Sequence, residues 1–251
     1  MADVQQKTVR SAVAPLLAEA RISSALSSQL VYGDVLTVMD GRGDWLQVRG
    51  ADGYEGWTHT GYVMPTTGRE GTWRVSLGCQ VRDVLGARRH LPLGARIEPI
   101  ADVMVGEVLD AEDREARFPL TSSAVARSAE SLFVGASYLW GGVTPWGCDC
   151  SGFVQRIYLL HGMQLPRDAW QQAALGYETE QGVAEDHEPG NLLFFSDRED
   201  RRITHVGLAL EGYRMVHSSL MRGGIAIEQL RSVDPYVARL RTQCVAVRHI
   251  I

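Results

Sequence analysis

Two textures of hydrophobic and polar positions divide this chain. Through the first 120 residues the apolar positions come in short runs, "LVYGDVLTVMD", "DWLQVRG" and "YEGWTHTGYV", separated by Gly-Asp and Asp-Gly. Short runs rich in Val, Leu, Trp and Tyr and bounded by turn residues predict strands. Their spacing suits a small barrel over residues 9–64. A second set, "WRVSLGCQVRDVL", "HLPLGARIEPI" and "VMVGEVLD", repeats the texture more weakly, and the charged stretch "DAEDREARF" closes it as a connection.

From Thr121 the period lengthens. "TSSAVARSAESLFVGAS" opens with hydroxyl residues suited to an N-cap, then spaces Val125, Ala129, Leu132 and Phe133 at helical intervals. After a Gly-rich loop, Phe153, Val154, Ile157, Tyr158 and Leu160 mark a second helix running to His161, with Gly162 as its C-cap. Strand-like runs follow: "NLLFFSD", "THVGLALEGYRMVHSS", "GIAIEQL" and "CVAVRHI". Helices first and antiparallel strands afterwards predict an α+β domain. The expected division is 1–65, 66–120 and 121–251.

Composition narrows the classes. With 251 residues the chain can bury a sizeable core, and 45% hydrophobic with 22% charged residues is ordinary for a globular protein. A net charge of −5 and scattered arginines argue against nucleic acid as partner. The pairs Arg88-Arg89 and Arg201-Arg202 read as solvated loop. No run approaches the roughly 18 apolar residues of a membrane span, so no membrane partner is expected. The start "MADVQQKTVRSAVAPLL" lacks the basic head and apolar core of a secretory signal, so a cytoplasmic location is expected unless a leader preceded it. Four cysteines at 79, 148, 150 and 244 do not form a disulfide framework.

Two of those cysteines stand one residue apart in the loop before the second helix. Cys150 falls at the helix start, where unpaired N–H groups favour a thiolate and lower a cysteine pKa from about 8.5 into a range of roughly 3.5–7.5. Cys148 lies off the helix and gains less. Of seven histidines, His59, His90, His161, His187 and His249 read as surface residues. His205 and His217 flank "VGLALEGYRMV", a hairpin. A loop of Leu210-Glu211-Gly212 with a left-handed glycine would set Ala209 opposite Tyr213 and His205 opposite His217. One imidazole could then take the thiol proton and the other orient it, or one of the two is structural. A zinc site of Cys148, Cys150, His205 and His217 has acceptable donors, but Cys-x-Cys is short for it and Asp149 has no part in it. A redox pair is disfavoured by the charge of Asp149. Neither a metal nor a cofactor is expected.

"YLWGG", "DCSGFVQRIYLLHGMQLPRD", "PGNLLFF", "HVGLAL" and "VHSS", in that order, resemble the NlpC/P60 family of cysteine peptidases over most of residues 121–251. The resemblance implies a papain-like α+β catalytic domain. The two strand-rich segments before it resemble bacterial SH3-like domains, and the three-part order is similar to the γ-D-glutamyl-L-diamino acid endopeptidases that cut cell-wall (murein) peptides. By motif, Cys150 is implied as nucleophile, His205 as base and His217 as the third, polar member. Tyr138 would sit near the developing oxyanion, and Asp149 and Ser151 would contact substrate. Tyr54 of "DGYEGW" matches a tyrosine that helps hold the substrate's free amine, with Asp149 as second contact. Arg167 is assigned to the free α-carboxylate, or to a salt bridge with Asp168 or another acid.

The implied reaction is hydrolysis after γ-D-Glu in L-Ala-γ-D-Glu-diamino acid peptides with a free N-terminus, a step in peptide recycling. Three positions depart from the pattern. Ala25 stands before "LSSQ" where an acid is usual, so Glu19 or Glu55 would substitute; Ala169 follows "LPRD" in place of serine; Asn191 replaces Asp after Pro-Gly. A wall-binding module is the alternative from another class, and a hydrolase of intact peptidoglycan the alternative within the same chemistry.

Overall fold

The computed structural model describes residues 5–66, 73–82, 86–179 and 187–251. The chain forms two compact units, Met1–Arg117 and Phe118–Ile251.

The first unit begins with seven strands: β1 (Gln6–Val9), β2 (Val13–Leu17), β3 (Leu26–Val31), β4 (Val35–Arg42), β5 (Trp45–Arg49), β6 (Glu55–His59) and β7 (Val63–Pro65). They pair in the order β3-β2-β6-β5-β4-β1-β7. Their inward residues, including Val9, Ala14, Leu16, Leu36 and Val48, make one apolar core. No pairing joins the end strands β3 and β7 among the described residues, so the expected barrel is an open sheet. The edge strand β7 is three residues long and ends in Pro65, which has no N–H to extend a ladder.

The second strand set, β8 (Arg74–Arg82), β9 (Arg88–Leu91), β10 (Arg96–Ile97) and β11 (Asp102–Leu109), is a four-stranded sheet in which β8 pairs with β9, β10 and β11. Its core of Cys79, Val81, Leu91, Ala95 and Ile97 also takes in Ala12 and Tyr32 from the first set. The Arg96 N–H donates to the Tyr32 carbonyl at 2.8 Å. Two strand-rich segments therefore share one unit. The charged stretch after them is more than a connection: Ala111–Arg117 is a helix, α1, opened by Asp110 accepting from the Asp113 N–H at 2.9 Å.

The second unit joins helices to an antiparallel sheet. Its helices are α2 (Ser122–Ser131), α3 (Cys150–Leu160), the short α4 (Ala169–Gln172) and α5 (Pro235–Gln243). Thr121 caps α2 by accepting from the Ala124 N–H, and Gly162, with φ of 89°, follows the end of α3. A small ribbon, β12 (Val143–Thr144) with β13 (Gly147–Cys148), precedes α3. The main sheet has β14 (Tyr177–Glu178), β15 (Leu192–Phe195), β16 (His205–Leu210), β17 (Arg214–Ser219), β18 (Gly224–Gln229) and β19 (Cys244–His249), in the order β14-β19-β15-β16-β17-β18. Leu193, Phe195, Ala209, Met215 and Val247 pack with Leu240 of α5 on one face. Helices α2 and α3 pack against β16, with Phe133 and Phe153 meeting edge to face at 5.2 Å between ring centres. No helix of the described residues is long and apolar enough to cross a membrane.

Candidate active site

Everything at the start of α3 converges on Asp149. As N-cap its carboxylate accepts from the Gly152 N–H at 2.8 Å, and its other oxygen accepts from the Gly141 N–H at 2.8 Å. A β-carbon on Gly152 would lie 2.2 Å from the Gly142 carbonyl oxygen. Only glycine there lets the "WGG" loop lie against the first turn. Cys150 follows as the first helical residue, buried, with backbone hydrogen bonds from Val206 and Ser151 at its sulfur. Burial, and then the charge of Asp149, push this thiol up to about 12, against the pull of those N–H groups and of Arg167. Desolvation thus opposes the thiolate expected at the helix start.

Val206, whose backbone reaches the sulfur, follows His205 at the start of β16. The hairpin pairs Leu208 with Val216, Ala209 with Met215 and Leu210 with Arg214. Its loop is therefore Glu211-Gly212-Tyr213, one residue later than expected. Tyr213 joins Gly212 in left-handed conformation, with φ of 62° and 73°. The expected face-to-face pairing of the two histidines is thus replaced by a diagonal one. Because side chains alternate with a period of two, this shift keeps both imidazoles on one face of the sheet. Their rings lie 5.0 Å apart, and His205 Nε2 is 2.8 Å from His217 Nδ1. His217 is fully buried. Burial, then the neighbouring His217, lower His205 to about 3, so at neutral pH it is a neutral imidazole.

Comparison with known proteins places the chain in a family. Residues 135–241 match the NlpC/P60 family, and residues 16–60 match the bacterial dipeptidyl-peptidase Sh3 domain. The chain is 44% identical over 90 residues to a γ-D-glutamyl-L-lysine dipeptidyl-peptidase of Bacillus subtilis, covering 35% of this chain but only 29% of that relative. It is 25% identical over 251 residues to the Bacillus cereus protein of the same name, covering 84% and 72% of the two chains. A probable endopeptidase of Haemophilus influenzae is 31% identical over 119 residues, covering 47% of this chain and 70% of that one. The crystal structure of a Bacillus cereus NlpC/P60 family protein superposes with a TM-score of 0.79 at 18% identity, covering 97% and 99% of the two chains. The chain belongs to the NlpC/P60 family. It is a cysteine peptidase with an N-terminal SH3 domain and a papain-like catalytic domain.

Within this NlpC/P60 domain the other candidates fall in distinct places. Half-buried Tyr138 bridges to Cys148, donates its N–H to the Gly223 carbonyl at 2.9 Å, and has its phenol pushed up by burial and then by nearby Cys150 and Asp149. Arg167, assigned to the substrate carboxylate or to a salt bridge with an acid, is paired with Asp149, the residue also assigned to substrate. Arg167 donates to both Asp149 oxygens at 3.0 and 2.6 Å and to the Ser151 hydroxyl at 2.9 Å. With two N–H groups, Ser151 and a guanidinium already on it, the Asp149 carboxylate holds the loop and helix start in place. Gln172 of α4 donates to the carbonyls of Ser151 and Pro166, tying the "LPRD" segment to α3. Ala169 is buried at the start of α4, and Asn191 meets the His249 ring at 2.9 Å.

Cys148 is buried with its thiol pushed up to about 12, burial first, while its carbonyl accepts from Ser218 at 2.7 Å. All four cysteines are free thiols. His161 and His187 are buried, against expectation; His161 sits between the Pro119 carbonyl and the Ser128 hydroxyl at 2.7 and 2.9 Å. In the first unit, Tyr54 packs against the strand core, and the candidate acids are ion-paired, Glu19 with Arg21 at 2.9 Å and Glu55 with Arg49 at 2.6 Å.

One site residue escaped the sequence reading. Glu228 of β18 points its carboxylate at His217, Oε1 lying 3.6 Å from Nε2. The register pairs His217 with Ala226 and Met215 with Glu228, which puts Glu228 on the histidine face. Arg222 donates to both its oxygens at 2.6 and 3.0 Å and also pairs with Asp234 at 3.2 Å. Burial alone would raise Glu228, but His217 and Arg222 beside it hold it near 2. The alternation of "GIAIEQL" would face Ile227 inward and Glu228 outward, yet Glu228 is 5% exposed and Ile227 44%.

Proposed function

We propose that this peptidase hydrolyses the bond between γ-D-Glu and a diamino acid in murein peptides whose N-terminal L-Ala is free. The observation that carries the reaction is the 2.8 Å contact of His205 Nε2 with His217 Nδ1, on a strand whose next residue reaches the Cys150 sulfur. That contact leaves His205 Nδ1 for the thiol. In the proposed cycle His205 takes the thiol proton as sulfur attacks the carbonyl carbon, and His217 orients it. The Tyr138 hydroxyl donates to the tetrahedral oxyanion. His205 then protonates the departing diamino acid amine, and water hydrolyses the thioester to free L-Ala-γ-D-Glu and the thiol. Ser151 and Arg167 keep the loop in register around the scissile bond.

Support for the bond comes from relatives named γ-D-glutamyl-L-lysine dipeptidyl-peptidase and from the matching Sh3 domain over residues 16–60. Requiring a free amine suits recycling, because a stem still joined to muramic acid adds bulk and has no ammonium. Leaving a buried acceptor unpaired costs about 1–3 kcal/mol, and steric exclusion adds to it. Tyr54 is the residue assigned to the amine by motif. The test compares free L-Ala-γ-D-Glu-diamino acid, its N-acetyl form and intact muropeptide, with product masses. Strong preference for the free peptide, weakened by Tyr54→Ala, supports the proposal. Equal rates on all three would identify a hydrolase of intact wall, and no hydrolysis of any would favour a binding module.

A further inference from the structure

We propose that Glu228 is a positioning residue that sets the tautomers of both histidines, so that His205 presents an unprotonated Nδ1 to Cys150. This rests on the reading of His205 as the base. A neutral imidazole carries one proton and one lone pair, and which nitrogen holds which is decided by its neighbours. His217 Nε2 is buried without a hydrogen-bond partner, and the Glu228 carboxylate stands 3.6 Å away. A carboxylate only accepts, so the favoured arrangement puts the His217 proton on Nε2, pointing at Glu228. His217 Nδ1 is then a lone pair. The 2.8 Å contact therefore requires His205 Nε2 to be the donor. A neutral His205 protonated at Nε2 has its lone pair on Nδ1, the state a thiol proton needs.

The surroundings hold Glu228 to this task. Arg222 grips both its oxygens, and the Arg222 guanidinium in turn pairs with Asp234 and lies 4.8 Å from the centre of the Tyr236 ring. Tyr236 is fixed by a 2.7 Å bond with Ser219 and packs 6.1 Å from the His217 ring. An ion pair serving stability alone gains nothing from facing a buried imidazole. Here the carboxylate is turned inward while its strand neighbour Ile227 faces solvent.

The test is nitrogen-15 NMR of histidine-labelled full-length protein near neutral pH, which reports the proton on each ring nitrogen without any turnover. Both histidines protonated at Nε2 is the expected result. A His217 proton on Nδ1 in the wild type would overturn the proposal. Glu228→Gln keeps the shape but sets an amide N–H among the donors of Arg222 and His217. It should shift His217 and His205 toward the other tautomer and lower kcat about 10- to 100-fold, with KM little changed. Unchanged tautomers with unchanged kcat in that variant would also overturn it. Cys150→Ala separates the two ideas: if it still hydrolyses peptide, the reading of the catalytic site fails, while the NMR result continues to decide the role of Glu228.

Discussion

The guanidinium of Arg167 holds both carboxylate oxygens of Asp149, at 3.0 and 2.6 Å, and neither side chain is more than 8% exposed. The pair locks the helix start that carries Cys150 to the segment before α4. Removing one partner of a buried pair strands a charge and costs about 3–5 kcal/mol. Arg167→Met should lower unfolding free energy by about that amount in urea titration. Combining it with Asp149→Asn should cost less than the two single losses added, because no lone charge remains. Simple additivity would show that the two side chains act separately.

The histidines differ in what they touch, so their losses should differ too. His205→Ala removes the imidazole next to the residue that contacts the sulfur, and kcat should fall about 10²–10⁴-fold. His217→Ala removes an orienting partner and should be milder. The double variant should be little worse than His205→Ala alone, since groups acting as a unit are not additive. Steady-state kinetics of the three variants decide it; a His217→Ala more damaging than His205→Ala would reverse the assignment.

Acid should weaken the catalytic domain before it changes the charge of the folded site. His205 falls from its ordinary 6.5 to about 3 in the fold, burial first, so between those values the unfolded chain binds a proton that the folded one refuses. Stability therefore declines as pH falls below about 6.5. Glu228 adds a second loss at lower pH, from 4.5 down to about 2. Thermal melts across this range should show the first decline, and His205→Ala should flatten it. In the same free enzyme, alkylation of Cys150 should climb only in the alkaline range, as its thiol is pushed up to about 12 by burial and by Asp149. A rate inflection below pH 7 would instead reveal a preformed thiolate–imidazolium pair.

Much of this site was legible in the chain. The helix from Cys150 and the Gly162 stop follow from local spacing and capping chemistry, which act within a few residues. The two histidines were found on a common face although the hairpin loop was placed one residue early. Tyr213 took a left-handed conformation that a non-glycine residue rarely adopts, and only packing selects that. Three features lay beyond local reasoning. A salt bridge for Arg167 was read as an alternative, but its partner Asp149 lies 18 positions away and is chosen by the tertiary fold. The buried state of Cys150 reverses the effect expected from its helix position. Glu228 reads as a solvent-facing residue until the strand register turns it toward His217.

The most direct measurement compares hydrolysis of free L-Ala-γ-D-Glu-diamino acid by wild type, Cys150→Ala and Cys148→Ala, with products weighed by mass spectrometry. Cys150 stands at the helix start, with the backbone of Val206 at its sulfur, whereas Cys148 lies in the ribbon before it. The predicted result is release of L-Ala-γ-D-Glu by wild type and Cys148→Ala at comparable rates, and none by Cys150→Ala. Activity that survives in Cys150→Ala, or is lost only in Cys148→Ala, would contradict it.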